Sequence, residues 1–320
     1  MGAYRMSVTG RRIALQVMLV ATVAIVAGAS SCPLNPGLTN PGNYNNTTDP
    51  TNGGASLVGK AACSACHPAI ADQVALHAHS AISCEDCHGP GSNHLPNPYA
   101  RANFVDLTGA QSCGNCHGKP PDADAGDIRA RDGFIDQMQQ WVELRASGGH
   151  ASFLCGYCHD PHASTLNDRP NGLRNECTAC HGDQNMALHK GIVFTRGDYV
   201  EPLTCESCHM PFAVLASAPA APDVVGPLAH IGDKRAHIFR ISDVQADFNA
   251  FLSDDKSKVK LDSEGRAAMT ADMVCLRCHN AVSLPTLAFT PQRAGEFAGF
   301  VHLDTVLNQK RIRELLTRPQ

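Results

Sequence analysis

The sequence predicts short α-helices and loops, with little or no β-sheet, wrapped around a core that its own side chains do not supply. Three observations carry that reading. Only 5% of the 320 residues are aromatic, too few to fill the interior of a chain this long. Cysteine and histidine are instead abundant, at 15 and 16. Fourteen of the fifteen cysteines fall into one spacing, Cys-x-x-Cys-His, repeated seven times.

In chain order, residues 1–31 read as an export signal. Arg5, Arg11 and Arg12 precede the apolar run 13–29, and small residues lead into Cys32. A cysteine there points to a bacterial lipoprotein, acylated on Cys32 and so held to a membrane by an N-terminal lipid anchor, although Ala29 replaces the Leu preferred three positions earlier. A cleaved secretory signal or an uncleaved anchor are the alternatives. Residues 32–58, rich in Pro, Asn, Gly and Thr, lack the apolar surface to fold and read as a disordered tether. Beyond residue 31 there are 23 basic against 30 acidic side chains, a net charge of −7. With no basic block of useful length before Lys310, Arg311 and Arg313, nucleic acid is excluded as a partner.

The seven motifs are Cys63/Cys66/His67, Cys84/Cys87/His88, Cys113/Cys116/His117, Cys155/Cys158/His159, Cys177/Cys180/His181, Cys205/Cys208/His209 and Cys275/Cys278/His279. Two thiols three residues apart reach the two vinyl groups of one haem, and the adjacent His lies beneath the iron as its proximal ligand. Zinc ribbons pair Cys-x-x-Cys units, and seven is odd; a disulfide scaffold gives no reason for seven histidines. The motifs therefore specify seven covalently bound haem c groups. Because haem is attached to an unfolded chain after export, the general secretory route fits better than the weak twin-arginine likeness of Arg11-Arg12.

Nine histidines remain: His77, His79, His94, His150, His162, His189, His230, His237 and His302. That surplus predicts mostly bis-histidine, six-coordinate irons. The expected distal ligands are His94, His150, His162, His189, His237 and His302, with His77 and His79 competing for one place; His230, beside Pro227 and Gly232, is the weakest. Met186, Met210, Met269 and Met273 lie near motifs and are the alternative ligands, or simply pack against porphyrin.

Motif starts are spaced by 21, 29, 42, 22, 28 and 70 residues, so motifs one to three and four to six read as related three-haem modules about 92 residues apart, with His94 and His189 in comparable places. Residues 59–215 form a region with haems one to six, and 216–320 a C-terminal region with haem seven and a terminal helix. Helices are expected at Pro68 to Ser80, carrying His77 and His79; at Ile128 to Ala146, ended by Gly148-Gly149; at Val244 to Leu252; at Thr270 to His279 with Thr270 as N-cap; and at Asp304 to Thr317. The long interval between His209 and Cys275 reads either as an insertion covering a haem or forming a docking face, or as a tolerated surface loop.

Residues 59–94, GKAACSACHPAIADQVALHAHSAISCEDCHGPGSNH, with CHDPH at Cys158 to His162 and CHMPF at Cys208 to Phe212, resemble the multihaem cytochromes c of bacterial respiration, which include the tetrahaem nitrification cytochromes and the exported cytochromes of metal-reducing bacteria. The resemblance implies closely packed porphyrins that pass electrons by hopping. It implies partners such as quinol-linked or periplasmic cytochromes, an outer-membrane conduit or a terminal acceptor, and a place in the periplasm or at the outer cell surface. Some relatives polymerise into extracellular filaments, so a homo-oligomer is a further expectation. Each haem with two ionised propionates adds about −1 when oxidised and about −2 when reduced, so charge repulsion is expected to spread the potentials. Against a non-enzymatic relay stands a reductase or oxidase of a small nitrogen or sulfur species. That would need one open iron, with His230, Lys234 or Arg235 beside it; the Cys-x-x-Cys-Lys motif of related nitrite reductases is absent.

Overall fold

In the computed structural model, residues 54–99, 110–118, 126–184, 186, 188–220, 231–242, 247–302 and 314 are described. They all fall within one compact unit, 32–320. The expected signal, Cys32, all but the end of the tether, His230 and nearly all of the helix expected at 304–317 lie outside the described residues.

The motifs fold alike because each is one helical turn. Three lie within helices, Cys84–His88, Ala110–His117 and Cys205–His209; two open on the 3-10 turns Cys155–Tyr157 and Cys177–Ala179. In the remaining two the helices Lys60–Cys66 and Ala271–Cys275 lead into the histidine. His67, His159, His181 and His279 each donate their backbone N–H to the carbonyl of their motif's first cysteine at 2.9 Å. This i to i−4 closure puts both thiols on one face with the imidazole a step beyond. Ser83 opens the second motif with a capping box, accepting from Glu85 N at 3.3 Å while Asp86 accepts from Ser83 N at 2.8 Å.

The helix expected over 68–80 stops early. Pro68–Ala75 is helical, Leu76 caps it, His77 is extended at φ −126°, and a 3-10 turn Ala78–Ala81 follows. The break turns His77 and His79 to different surroundings. The helix expected over 128–146 is mostly strand, and only Gln140–Arg145 coils. The reason is Asp132-Gly133, both left-handed at φ 53° and 83°, which makes the two-residue turn of a hairpin. Ala130–Arg131 pairs antiparallel with Phe134–Asp136, whose Ile135 also stands parallel to Val214. Val193–Arg196 and Tyr199–Pro202 form a second hairpin around Gly197-Asp198, and Ile241–Ser242 pairs parallel with Met269–Thr270. Strands of two to four residues leave the fold as expected, loops and short helices with little sheet. Of the helix expected over 244–252 only a 3-10 turn, Phe248–Ala250, is described, and that expected over 270–279 shortens to Ala271–Cys275, with Thr270 at the N-cap but making no capping hydrogen bond.

One apolar core forms, joining residues 128–146 to 213–274. Ile128, Ile135, Ile238, Phe251, Leu252, Met269 and Met273 are its fully buried members. The long interval between the last two motifs is thus core-forming chain. Met269 and Met273 pack there, among aliphatic and phenylalanine side chains.

Candidate haem-binding sites

Seven histidine pairs stand out. His67 faces His94 with ring centres 6.4 Å apart, His88 faces His162 at 5.9 Å, and His117 faces His79 at 6.1 Å. His159 faces His237 at 6.2 Å, His181 faces His150 at 5.9 Å, His209 faces His302 at 5.5 Å, and His279 faces His189 at 6.1 Å. Every pair joins one motif histidine to one histidine from outside the motifs, and no histidine is used twice. Two imidazoles bound to one metal at about 2 Å, with each ring centre about 1 Å behind its nitrogen, stand about 6 Å apart. The spacing fits a single iron between each pair. In the tightest, the Nε2 atoms of His209 and His302 face each other at 3.2 Å, so this pair must part by a little under about 1 Å to admit the metal.

The ring nitrogens turned away from the pair axis support the same fit. His209 Nδ1 lies 2.9 Å from Phe239 O, His279 Nδ1 2.9 Å from Leu287 O, His79 Nδ1 3.3 Å from Pro161 O, and His117 Nδ1 3.3 Å from Gln140 Oε1. His162 Nδ1 is 3.4 Å from Asp160 Oδ1. Such contacts fix the tautomer that leaves Nε2 for a metal. Burial holds His117, His150, His159, His189, His209 and His279 below the ordinary imidazole range and pulls His237 down to about 3. All of these directions favour the neutral ring, which is the ligating form.

Among the described residues no three His, Cys, Asp or Glu side chains converge as a metal site, as zinc would require. Thirteen motif cysteines are free thiols. Cys116, expected as the second haem anchor of the third motif, departs from that expectation: it is disulfide-bonded. The physical reason is a competition for one sulfur. Thiols within reach of each other oxidise to a disulfide, whereas a thioether forms from the reduced thiol, so the same Cys116 Sγ cannot carry both bonds. Full attachment at the third motif therefore requires Cys116 in its reduced form. The histidines of that motif are already in place, with His117 facing His79.

The neighbours of the free thiols run in chain order. The thiols of Cys63 and Cys84 hydrogen-bond, as do those of Cys113 and Cys155. Burial first, then charge nearby, pushes up the thiols of Cys87, Cys158, Cys177 and Cys275, and the neighbours responsible include Cys113, Cys180, Cys205 and Cys208 respectively. Sulfurs in thioether linkage do not titrate; what carries over to them is that each motif adjoins the next.

Local chemistry explains how some of the outer histidines are delivered. Glu85, inside the second motif and buried, accepts from Val58 N and Gly91 N through Oε1, at 2.8 and 2.9 Å, and from Gly59 N through Oε2 at 2.8 Å. It thereby ties the chain entering motif one to the Gly-Pro-Gly turn that presents His94. A Cβ on Gly91 would come within 2.9 Å of Val58, so only glycine fits that turn. His79, rather than His77, is the one that faces a motif histidine; among the described residues no such ring contact joins His77 to one. Arg235, considered beside an open iron, is engaged otherwise: it pairs with Glu201 at 2.9 Å, donates to the carbonyls of Glu206 and Met210, and lies over the Phe212 ring.

Sequence reasoning singled out every histidine in these pairs but missed the aromatic partners. Phe239 stacks on His150 with centres 4.6 Å apart, and Phe289 on His279 at 4.2 Å. Neither has a local signature, because each is brought to its histidine by the fold.

No protein-family model matches the chain. It is 30% identical over 183 residues to the C-type polyheme cytochrome OmcC of Geobacter sulfurreducens, an alignment covering 49% of this chain and 21% of that protein. It is 23% identical over 237 residues to the dissimilatory sulfite reductase MccA of Wolinella succinogenes, covering 56% of this chain and 31% of that one. The chain thus spans less than a third of the length of either. Among solved structures, the octaheme sulfite reductase MccA of Wolinella succinogenes aligns with 75% of this chain and 45% of its own, at 19% identity and a TM-score of 0.44.

Proposed function

We propose that this chain, a multihaem c-type cytochrome, is an electron relay holding seven haem c groups, each between one motif histidine and one outer histidine. The observation that carries the proposal is the set of seven pairs, which provides two axial ligands for every motif and leaves no motif histidine without an opposite imidazole. Bound haem c supplies a one-electron iron couple. The residues do the rest: thiols, with Cys116 reduced, fix each group to its turn of helix, paired imidazoles close both faces of the iron to substrate, and the chain-order adjacency of the motifs sets a file from motif one to motif seven. Cys32 anchors the protein by lipid to a membrane facing the periplasm or the cell surface, where it passes electrons between respiratory redox proteins.

A second reading draws on the sulfite reductase among its relatives: reduction of a small sulfur or nitrogen oxyanion at one iron whose outer histidine gives way. Low-temperature EPR of the oxidised protein, with intact mass on the same sample, separates the two. The relay requires the mass of seven haems and only low-spin signals, unchanged by sulfite, nitrite or hydroxylamine. A high-spin signal that shifts with one of these ligands would overturn it in favour of the reductase. A mass of six haems, with Cys116 still in a disulfide by peptide mapping, would overturn the count of seven at the third motif.

A further inference from the structure

The stretch 236–240 lies in the interval between the sixth and seventh motifs and runs extended between two environments. Ala236 and Ile238 are fully buried in the apolar core, while the alternate residues His237 and Phe239 turn to the other side, as the twofold period of an extended chain dictates. On that side the segment meets three histidine pairs. His237 faces His159 of the fourth motif. The Phe239 ring stacks on His150, which faces His181 of the fifth. The Phe239 carbonyl accepts from Nδ1 of His209, the sixth.

Two buried side chains near the end of helix Gln140–Arg145 grip this segment. Glu143, fully buried, accepts the backbone N–H of His237 through Oε2 at 2.6 Å. Ser147, 1% exposed, accepts from Phe239 N at 3.2 Å, and its hydroxyl reaches the carbonyl of His237. The grip therefore holds the residues on both sides of Ile238. On the core side, Arg240 O accepts from Met269 N at 2.8 Å and continues the segment into sheet.

We propose that Glu143 and Ser147 are positioning residues that, by clamping residues 237–239, set the axial geometry of three haems at once, those of motifs four, five and six. The inference rests on the seven-pair ligation above. Its physical basis is that an outer hydrogen bond to a ligating imidazole tunes the ligand's basicity, and that a bound imidazole's orientation follows its backbone. A shift of the segment moves the His237 ring, the face packed on His150 and the acceptor of His209 together.

The test uses the full haem-loaded protein, with haem count by intact mass, EPR and a spectroelectrochemical titration. His237→Ala comes first, because it tests the ligation alone: one haem must turn high-spin, and if none does the pairing itself fails. Ser147→Ala is then expected to keep the haem count and to move the low-spin signals and potentials of two or three haems. Phe289→Leu, at a ring that stacks on His279, moves one. Ser147→Ala moving one haem or none overturns the clamp while leaving the ligation intact. If Ser147→Ala loses haem, Glu143→Gln and Glu143→Leu decide. Gln keeps an acceptor for His237 N and preserves the spectrum, Leu disturbs several haems together, and identical spectra for the two overturn the proposal.

Discussion

Residues 54–118 and 148–192 carry the first five motifs, and across both stretches Ala55 is the sole described apolar side chain that is buried. Leu76, Tyr99, Tyr157 and Leu166 there are 57 to 96% exposed. Residues 128–146 with 211–276 instead enclose a core of sixteen buried apolar residues. The difference teaches where this chain relies on its own side chains and where it leaves the interior to porphyrin. Apolar burial drives folding at roughly 25 cal/mol per Å², and the first region has almost none to offer. Four pairs, His67 with His94, His79 with His117, His88 with His162 and His150 with His181, lie wholly within it.

The largest effect expected from this contrast is on the chain made without haem attachment. Hydrogen exchange of that species should find amides of 54–99 and 148–192 unprotected, with residual protection at Ile135, Val214 and Leu276; uniform protection would break the contrast. In the loaded protein, Phe251→Ala should cost about 3–5 kcal/mol in thermal or denaturant unfolding, whereas Leu166→Ala should stay within about 0.5 kcal/mol. Glu85→Ala removes the acceptor of three backbone N–H groups, and a loss of about 1–3 kcal/mol is expected, with His94 released and one haem turning high-spin by EPR. At the small end stands Arg169, whose ion pairs with Glu176 and Glu206 link the two regions across a partly exposed surface. Arg169→Met should cost less than about 1 kcal/mol, and less still at high salt.

A spectroscopic difference sharpens the comparison without a stability change. The rings of His67/His94, His88/His162 and His209/His302 lie within 7 to 19° of parallel, but those of His79/His117 and His189/His279 cross at 67 and 83°. Parallel imidazole planes split the iron d orbitals and give rhombic low-spin spectra; crossed planes leave them nearly degenerate and give signals of large gmax. EPR should therefore resolve two large-gmax haems.

The attachment turns were legible in the sequence because their information is local: five residues suffice to specify each. Cys116 marks the limit of that information, since spacing sets where a sulfur stands and not which bond it makes, and here the bond is a disulfide. The outer histidines were legible as a set, but their partners were not, since His88 finds His162 and His209 finds His302 across long stretches of chain that only the fold closes. His77 and His79 were inseparable until the helix break at Leu76 set them apart. The 128–146 region misled because Phe134, Met138, Trp141 and Val142 share a helical period, and the Asp132-Gly133 turn overrides it. The repeat of motif spacing does not extend to the pairs: His94 faces the first motif of its own group, whereas His189 faces the seventh, carried there beside the hairpin Val193–Arg196/Tyr199–Pro202.

The direction in which each pair closes has a consequence for assembly. A chain emerging from its N-terminus presents His79, His150 and His189 before the motifs they face, so motifs three, five and seven can find both ligands as soon as they appear. Motifs one, two, four and six face histidines downstream, and the fourth and sixth must wait for His237 and His302. Until then their irons would have one open side, so the half-made protein is the stage at which a small ligand could intrude and at which the finished molecule's closure is decided.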